Sequence, residues 1–148
     1  MRRHASTRRG AAALEFALVL PVVTFVMMAV FDYGAALQQI IRLEGAARAG
    51  AQVGMSRPND ADGIRTAALA FVGDWALGTN CGAEEPNGVC VESGTRCRVV
   101  NTTVDVSCST TFTTDFHRYA WVTVTRPYSP ILVVPQRTLR GNVEIRLR

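Results

Sequence analysis

The chain has 148 residues, a formal net charge of +4 and no lysine. This length suits one small domain with one additional segment. Four of the sixteen arginines precede Gly10, and the rest of the chain carries twelve arginines against twelve acidic residues. Because the later arginines form no basic stripe, the composition argues against a nucleic-acid partner.

An apolar run follows the basic leader, which we expect to be disordered over residues 1–10. Residues 16–31 contain no charged side chain, and with Ala11–Leu14 they reach about 20 residues, enough to span a bilayer. A secretory signal peptide is the alternative, but a shorter apolar core and a small-x-small cleavage site are typical of one. Here Asp32 ends the run and helical sequence continues. By the positive-inside rule, the leader stays in the cytoplasm and the remainder is exported.

Glu15 lies near the start of this run, where an ionised side chain costs roughly 2.5–3.5 kcal/mol on insertion scales. Cleavage after Gly10 would make Ala11 the new N-terminus. Its α-amine and the Glu15 carboxylate would then stand one helical turn apart on the same face. This spacing predicts a subunit that is stored in a membrane and assembled into a helical polymer. A leader that is never cleaved and only sets the topology is the alternative.

From Ala11 to about Arg57 the sequence predicts one helix, about 69 Å long. Pro21 is expected to kink it, since an interior proline removes a backbone donor. Beyond the membrane the helix is rich in small residues, and three of them recur at every fourth position: Ala46, Gly50 and Gly54. Such a face lets another helix approach closely. Packing on the helix's own domain is the alternative.

A second helix is predicted over Asp60–Leu77. Pro58-Asn59-Asp60 provides a stop and a new N-cap, and Gly78 is the C-cap candidate. Apolar residues at helical spacing form a stripe that we expect to pack on the first helix. They are Ile64, Ala68, Phe71, Val72 and Trp75.

Strands are predicted to dominate the region after a loop over Gly78–Gly94. Residue alternation predicts one strand over Val100–Cys108, and β-branched and aromatic residues predict others over Tyr119–Tyr128 and Asn142–Arg148. An apolar loop, Pro127–Pro135, joins the last two. We expect it to cover the core, and an exposed contact patch is the alternative.

The four cysteines, Cys81, Cys90, Cys97 and Cys108, lie in the predicted exported part, where disulfides are the default. A zinc site is the alternative, although no Cys-x-x-Cys pair occurs. We favour a Cys90–Cys97 disulfide across a hairpin that turns at Ser93-Gly94, which leaves Cys81 for Cys108. Pairing of sequence neighbours is also possible, and it requires the chain to fold back near Thr102.

These patterns predict an α+β fold in three parts: a leader over 1–10, a long helix over 11–57 and an exported domain over 58–148. The helix crosses the membrane over about 11–31. The domain combines the second helix with a short antiparallel β-sheet and is stapled by disulfides. We predict no catalytic residues, cofactor or metal site, because His117 follows Asp115 in a polar stretch that has no adjacent nucleophile motif.

The segment Arg8-Arg9-Gly10-Ala-Ala-Ala-Leu-Glu15-Phe16, with Asp32-Tyr33-Gly34 and the small-residue run over 46–51, resembles the TadE-like pseudopilins. These are minor pilin-like subunits of the Tad (tight adherence) machinery, which builds Flp-type pili. The resemblance covers little more than the first third of the chain. Alanine after the cleavage point argues against the type IVa branch, and a TadF- or TadG-like subtype stays open.

The resemblance implies that a prepilin peptidase cleaves between Gly10 and Ala11, and that Glu15, followed by Phe16, is the acid of the cleavage and assembly motif. The implied partners are this peptidase, other pilin and pseudopilin subunits, the Tad inner-membrane assembly platform and the lipid bilayer. The implied location is the bacterial inner membrane, with the C-terminal domain in the periplasm, and the implied role is pilus biogenesis, adhesion and biofilm formation. An uncleaved, signal-anchored periplasmic binding or scaffold protein is the alternative.

Overall fold

The computed structural model describes residues 7–82, 87–108, 115–130 and 137–147. Within these ranges the chain forms two helices followed by four strands. The strands make one antiparallel sheet, and both helices pack on the same side of it. The predicted α+β fold with a long N-terminal helix is therefore confirmed.

Helix α1 covers Thr7–Ser56, which corresponds to about 75 Å at 1.5 Å per residue. The leader is thus helical from Thr7, and the expectation of disorder is wrong for residues 7–10. The alanine-rich run that begins at Ala11 favours a helix strongly, and that helix extends back through the two arginines, which are also good helix formers. Pro21 lies within the helix. The helix ends just before Arg57, since a residue that precedes a proline disfavours the α conformation.

Helix α2 covers Ala61–Val72, and the side chain of Asp60 caps it by accepting a hydrogen bond of 2.9 Å from the Gly63 amide. The predicted N-cap is therefore found, but the predicted end at Leu77 is wrong. Gly73 ends the helix with φ of 65°, a conformation that glycine adopts without a steric penalty. Trp75 consequently lies beyond the helix.

The sheet has the strand order β2-β1-β3-β4. Strand β1 covers Cys90–Val99, β2 Asp105–Val106, β3 Phe116–Tyr128 and β4 Arg137–Arg146. β3 confirms one predicted strand, and β4 begins five residues earlier than Asn142.

The strand predicted over Val100–Cys108 is wrong, and part of the predicted loop over Gly78–Gly94 is strand. All ten residues of β1, Cys90–Val99, pair with β3. The chain then reverses at Asn101, whose φ of 64° suits an asparagine in a turn. Only Asp105 and Val106 pair with β1 after the reversal. The apolar loop residues 131–136 lie outside the described part of the chain.

The core lies between the sheet and the second half of α1. Leu43, a fully buried residue of α1, is among the largest side chains in it. A Cβ on Gly141 of β4 would overlap the backbone of Leu43 and Glu44, so the sheet approaches α1 as closely as a glycine permits. The other buried residues of this core cluster are Ala46, Ala47, Ala51, Ile64, Ala68, Val72, Val89, Val122, Val124, Tyr128 and Leu139.

The disulfides join sequence neighbours: Cys81 with Cys90, and Cys97 with Cys108, at Cα–Cα distances of 5.4 and 5.2 Å. Our preference for Cys90 with Cys97 is wrong, because β1 continues straight through Ser93 and Gly94 instead of turning there. The reversal at Asn101 brings Cys108 back beside Cys97. All four cysteines are disulfide-bonded, so the zinc alternative is also wrong.

Candidate functional site

The N-terminal part of α1 projects from the domain with its apolar side chains uncovered. Every residue from Gly10 to Phe31 is exposed except Ala29, which is half-buried. Phe31 is 73% exposed and Phe16 67%. An exposed apolar surface of this extent marks a site of contact with a membrane or another protein. In the described chain, α1 is the one helix that is long and apolar enough to cross a membrane.

Gly10, Ala11 and Glu15 lie on the first turns of this exposed segment. A Cβ on Gly10 would meet nothing within 4 Å. Glu15 is exposed, and no ion pair involves it within the described chain. From Ala11 to Glu15 the helix rises about 6 Å. A carboxylate is thus placed one turn from the predicted new N-terminus, with no ion-pair partner among the described residues.

The domain begins to cover α1 at Asp32, whose residue surface is only 3% exposed. The Tyr128 hydroxyl, at the end of β3, donates a hydrogen bond of 2.8 Å to the Asp32 carbonyl oxygen. This bond ties the end of the sheet to the helix at the point where the apolar segment ends. The boundary between exposed and packed helix therefore has a defined position.

Two arginines and one tryptophan form a cluster on the domain side of this boundary. The Arg126 guanidinium lies 4.0 Å from the centroid of the Trp75 ring and donates a hydrogen bond of 3.1 Å to the Gln39 side-chain oxygen. Arg42 lies 5.9 Å from the same ring. Burial, followed by the positive charge of Arg42, lowers the pKa of Arg126 below its ordinary value. We refer to Gln39, Arg42, Trp75 and Arg126 as the arginine–tryptophan cluster.

Nothing in the local sequence marks the arginine–tryptophan cluster as a site. The spacing of apolar residues predicts that Trp75 lies on the apolar stripe of the second helix, whereas Trp75 follows that helix and contacts β3. Arg126 lies near the end of strand β3, 87 residues from Gln39 in the sequence. The cluster forms only because β3 packs antiparallel along α1.

Two of the small residues on α1 contact the sheet and α2 of their own domain. A Cβ on Gly50 would lie 3.2 Å from both the Ile64 carbonyl oxygen and the Val122 side chain. A Cβ on Gly54 would lie 3.5 Å from Ile64. Ala46, one turn before Gly50, is fully buried. The small side chains therefore let α1 pack closely within the domain.

His117 lines an open cleft at the opposite end of the sheet, together with Arg118 and Arg146. Phe116 and Leu147 complete the lining. In the described ranges, no group of three or more histidine, cysteine, aspartate or glutamate side chains is placed to hold a metal ion.

The chain was compared with known protein families, with curated proteins and with solved structures. The family model of the TadE-like proteins matches residues 10–52. This range contains Gly10, Glu15 and the small-residue run, so the match confirms the resemblance drawn from those residues. No curated protein and no solved structure matches the chain.

Proposed function

From the match of residues 10–52 to the TadE-like family, we propose that this protein is a membrane-anchored minor pilin or pseudopilin that takes part in Tad/Flp pilus biogenesis and adhesion. A prepilin peptidase removes the leader after Gly10. The single observation that carries the proposal is the bare apolar segment of α1, which bears a glutamate one turn after Ala11. The protein acts as a structural subunit and not as an enzyme.

Two different surroundings can cover the bare segment in turn. In the bilayer, lipid covers residues 16–31, and the leader arginines hold the N-terminus in the cytoplasm. In the assembled pilus, the helices of neighbouring subunits cover the same surface. The subunit therefore moves from one apolar environment to another without exposing the segment to water.

Charge pairing sets the register of the second state. The α-amine of Ala11 on one subunit is neutralised by Glu15 of a neighbour. Breaking such a pair inside a bundle of helices leaves an uncompensated charge in an apolar environment, which costs about 3–5 kcal/mol. A subunit that is shifted along the bundle leaves these charges unpaired, so its incorporation is energetically unfavourable.

Processing is tested by the intact mass and N-terminal sequence of the full chain, expressed with and without a Tad-type prepilin peptidase. We expect a new terminus at Ala11 only when the peptidase is present. Gly10→Leu should abolish cleavage, whereas Gly34→Ala, a change at another exposed glycine of α1, should not. A full-length chain under both conditions would overturn the processing step and favour the uncleaved periplasmic anchor.

Assembly is tested with Glu15→Gln, which removes the carboxylate and keeps the size of the side chain. We expect this variant to be cleaved and membrane-bound but missing from complexes with other pilin subunits after cross-linking and co-purification. Glu44→Gln is the matched control, because Glu44 lies on α1 within the domain and pairs with Arg48. Normal incorporation of Glu15→Gln would exclude the charge-pairing mechanism.

A further inference from the structure

The edge of the bilayer can be placed on α1 from the helix geometry. This step rests on the proposed function, because it takes Glu15 to lie at the cytoplasmic edge of the hydrocarbon layer. A layer about 30 Å thick then reaches to about 20 residues further on, near Ala35. Burial independently marks the same position, since Asp32 is buried and Ala36 is half-buried. The outer edge of the hydrocarbon therefore lies within about one helical turn of the point where the domain begins.

The arginine–tryptophan cluster lies on the domain side of that edge. Arg42 lies about 10 Å further along the helix axis, and the headgroup layer is about 5–8 Å thick. Helical side chains point back toward the helix N-terminus, so the Arg42 guanidinium reaches down toward the headgroups. Exposed Arg137, opposite Tyr128 in the β3–β4 pairing, adds a cation at the same end of the sheet.

The electrostatics of the cluster favour an anion. Two guanidinium groups approach one indole ring, and no carboxylate forms an ion pair with either in the described part of the chain. Gln39, three residues before Arg42 on α1, accepts a hydrogen bond from Arg126 and so holds its guanidinium at the helix without neutralising it. Guanidinium groups bind phosphate oxygens in a bidentate manner, and a phosphate between the two would offset their repulsion.

We propose that Arg42, Arg126 and Trp75 bind the phosphate of an anionic phospholipid headgroup in the periplasmic leaflet. Tryptophan prefers this interfacial depth, because its ring is apolar and its indole N–H is polar. The bound lipid fixes the height and the rotation of the domain on the membrane before assembly. The subunit then leaves the bilayer only when this headgroup is released.

The position of the cluster is tested by fluorescence quenching with the full chain in liposomes. Trp121→Phe leaves Trp75 as the only tryptophan, since the chain contains two. We expect a lipid with a nitroxide on its headgroup to quench Trp75 more strongly than one with the nitroxide at the middle of an acyl chain. Trp75 that neither label quenches, in a chain that resists carbonate extraction, would overturn the lipid site and leave the membrane anchor intact. A chain released by carbonate would instead overturn the proposed function.

Binding is tested by native mass spectrometry of the full chain released from detergent with phosphatidylglycerol or phosphatidylcholine. We expect preferential retention of phosphatidylglycerol, and a loss of about five-fold in its affinity for each of Arg42→Gln and Arg126→Gln. Arg65→Gln and Arg118→Gln remove the same charge from exposed positions outside the cluster and should change nothing. Because Arg42 is itself exposed, its substitution leaves the fold intact.

Two outcomes of the binding experiment would overturn the proposal. One is an equal loss in all four variants, which would mean that net charge and not a site attracts the lipid. The other is displacement of the lipid by excess inorganic phosphate, which would mean that the cluster binds free anions.

Discussion

The Tyr128 hydroxyl donates a hydrogen bond of 2.8 Å to the backbone carbonyl of Asp32, although 96 residues separate the two in the sequence. The bond joins the last residue of β3 to the helix turn at which the bare apolar segment ends. It thereby holds the first packed turn of α1 against the end of the sheet.

Removal of this hydroxyl should loosen the junction. We expect Tyr128→Phe to lower the free energy of unfolding by about 1 kcal/mol, because it deletes one buried hydrogen bond and keeps the ring. Denaturant unfolding of the full chain in detergent, followed by tryptophan fluorescence, measures this loss. Tyr33→Phe is the matched control, since Tyr33 is 63% exposed. An equal effect of the two changes would contradict a special role for Tyr128.

Gly141 is the position at which the sheet and α1 come closest. We expect Gly141→Ala to destabilise the domain by about 1–3 kcal/mol, because the new methyl group meets the backbone of Leu43 and Glu44, which cannot move aside as a side chain can. Gly34→Ala, on an open part of α1, should cause no loss of stability. Thermal unfolding of both variants provides the comparison, and a stable Gly141→Ala protein would refute this packing.

Two residues of α2 that the sequence pattern treats alike should respond differently to truncation. Ile64 is 2% exposed and contacts Gly50 and Gly54, whereas Phe71 is 56% exposed. Ile64→Ala should cost about 2–5 kcal/mol, and Phe71→Ala about 1 kcal/mol, in proportion to the smaller area that Phe71 buries. Urea unfolding of the two variants ranks them. The reverse ranking would place the core on the wrong side of α2.

The disulfide pairing has a simple signature after trypsin digestion without reduction. The chain has no lysine, and no arginine lies between Arg65 and Arg96, so Cys81 and Cys90 fall in one peptide. We expect that peptide to be lighter by two hydrogens, and the dipeptide Cys97-Arg98 to be linked to residues 99–118. A single species containing all three peptides would instead indicate the crossed pairing.

Elements with strong local signals could be predicted from the sequence. The apolar run and the alanines of α1 favour a helix wherever they are placed, and Asp60 after Pro58 is a local cap signal. The sequence pattern gave wrong predictions where tertiary contacts determine the structure. Trp75 continues the apolar stripe predicted for the second helix, but Gly73 ends α2 before it. The Trp75 ring packs against the Arg126 guanidinium instead.

The prediction of a strand over Val100–Cys108 is wrong for a related reason. Alternation of valine and threonine favours a strand locally. In the structure, however, the long strand β1 ends at Val99, where its pairing with β3 ends, and the chain then turns back at Asn101. The disulfide preference failed with it, because it depended on a turn at Gly94.

The two candidate sites, the Gly10–Glu15 segment and the arginine–tryptophan cluster, also differ in whether the sequence alone reveals them. Gly10, Ala11 and Glu15 are close in sequence, so their spacing was visible at once, and their roles remain a proposal. Arg42 and Arg126 are brought together by the packing of β3 on α1, and residue spacing carries no signal for that. A site made of distant residues requires the fold first.

Strand β4 ends the sheet, and in the described chain no further strand pairs with its outer side. An edge strand of ten residues can pair with the same strand of another molecule and begin aggregation. Arg137, Arg140 and Arg146 on this strand are exposed, and charged side chains on an edge strand disfavour such pairing. For the proposed pilus subunit, contact between sheets is thus disfavoured, and the exposed apolar face of α1 is left for contact between copies.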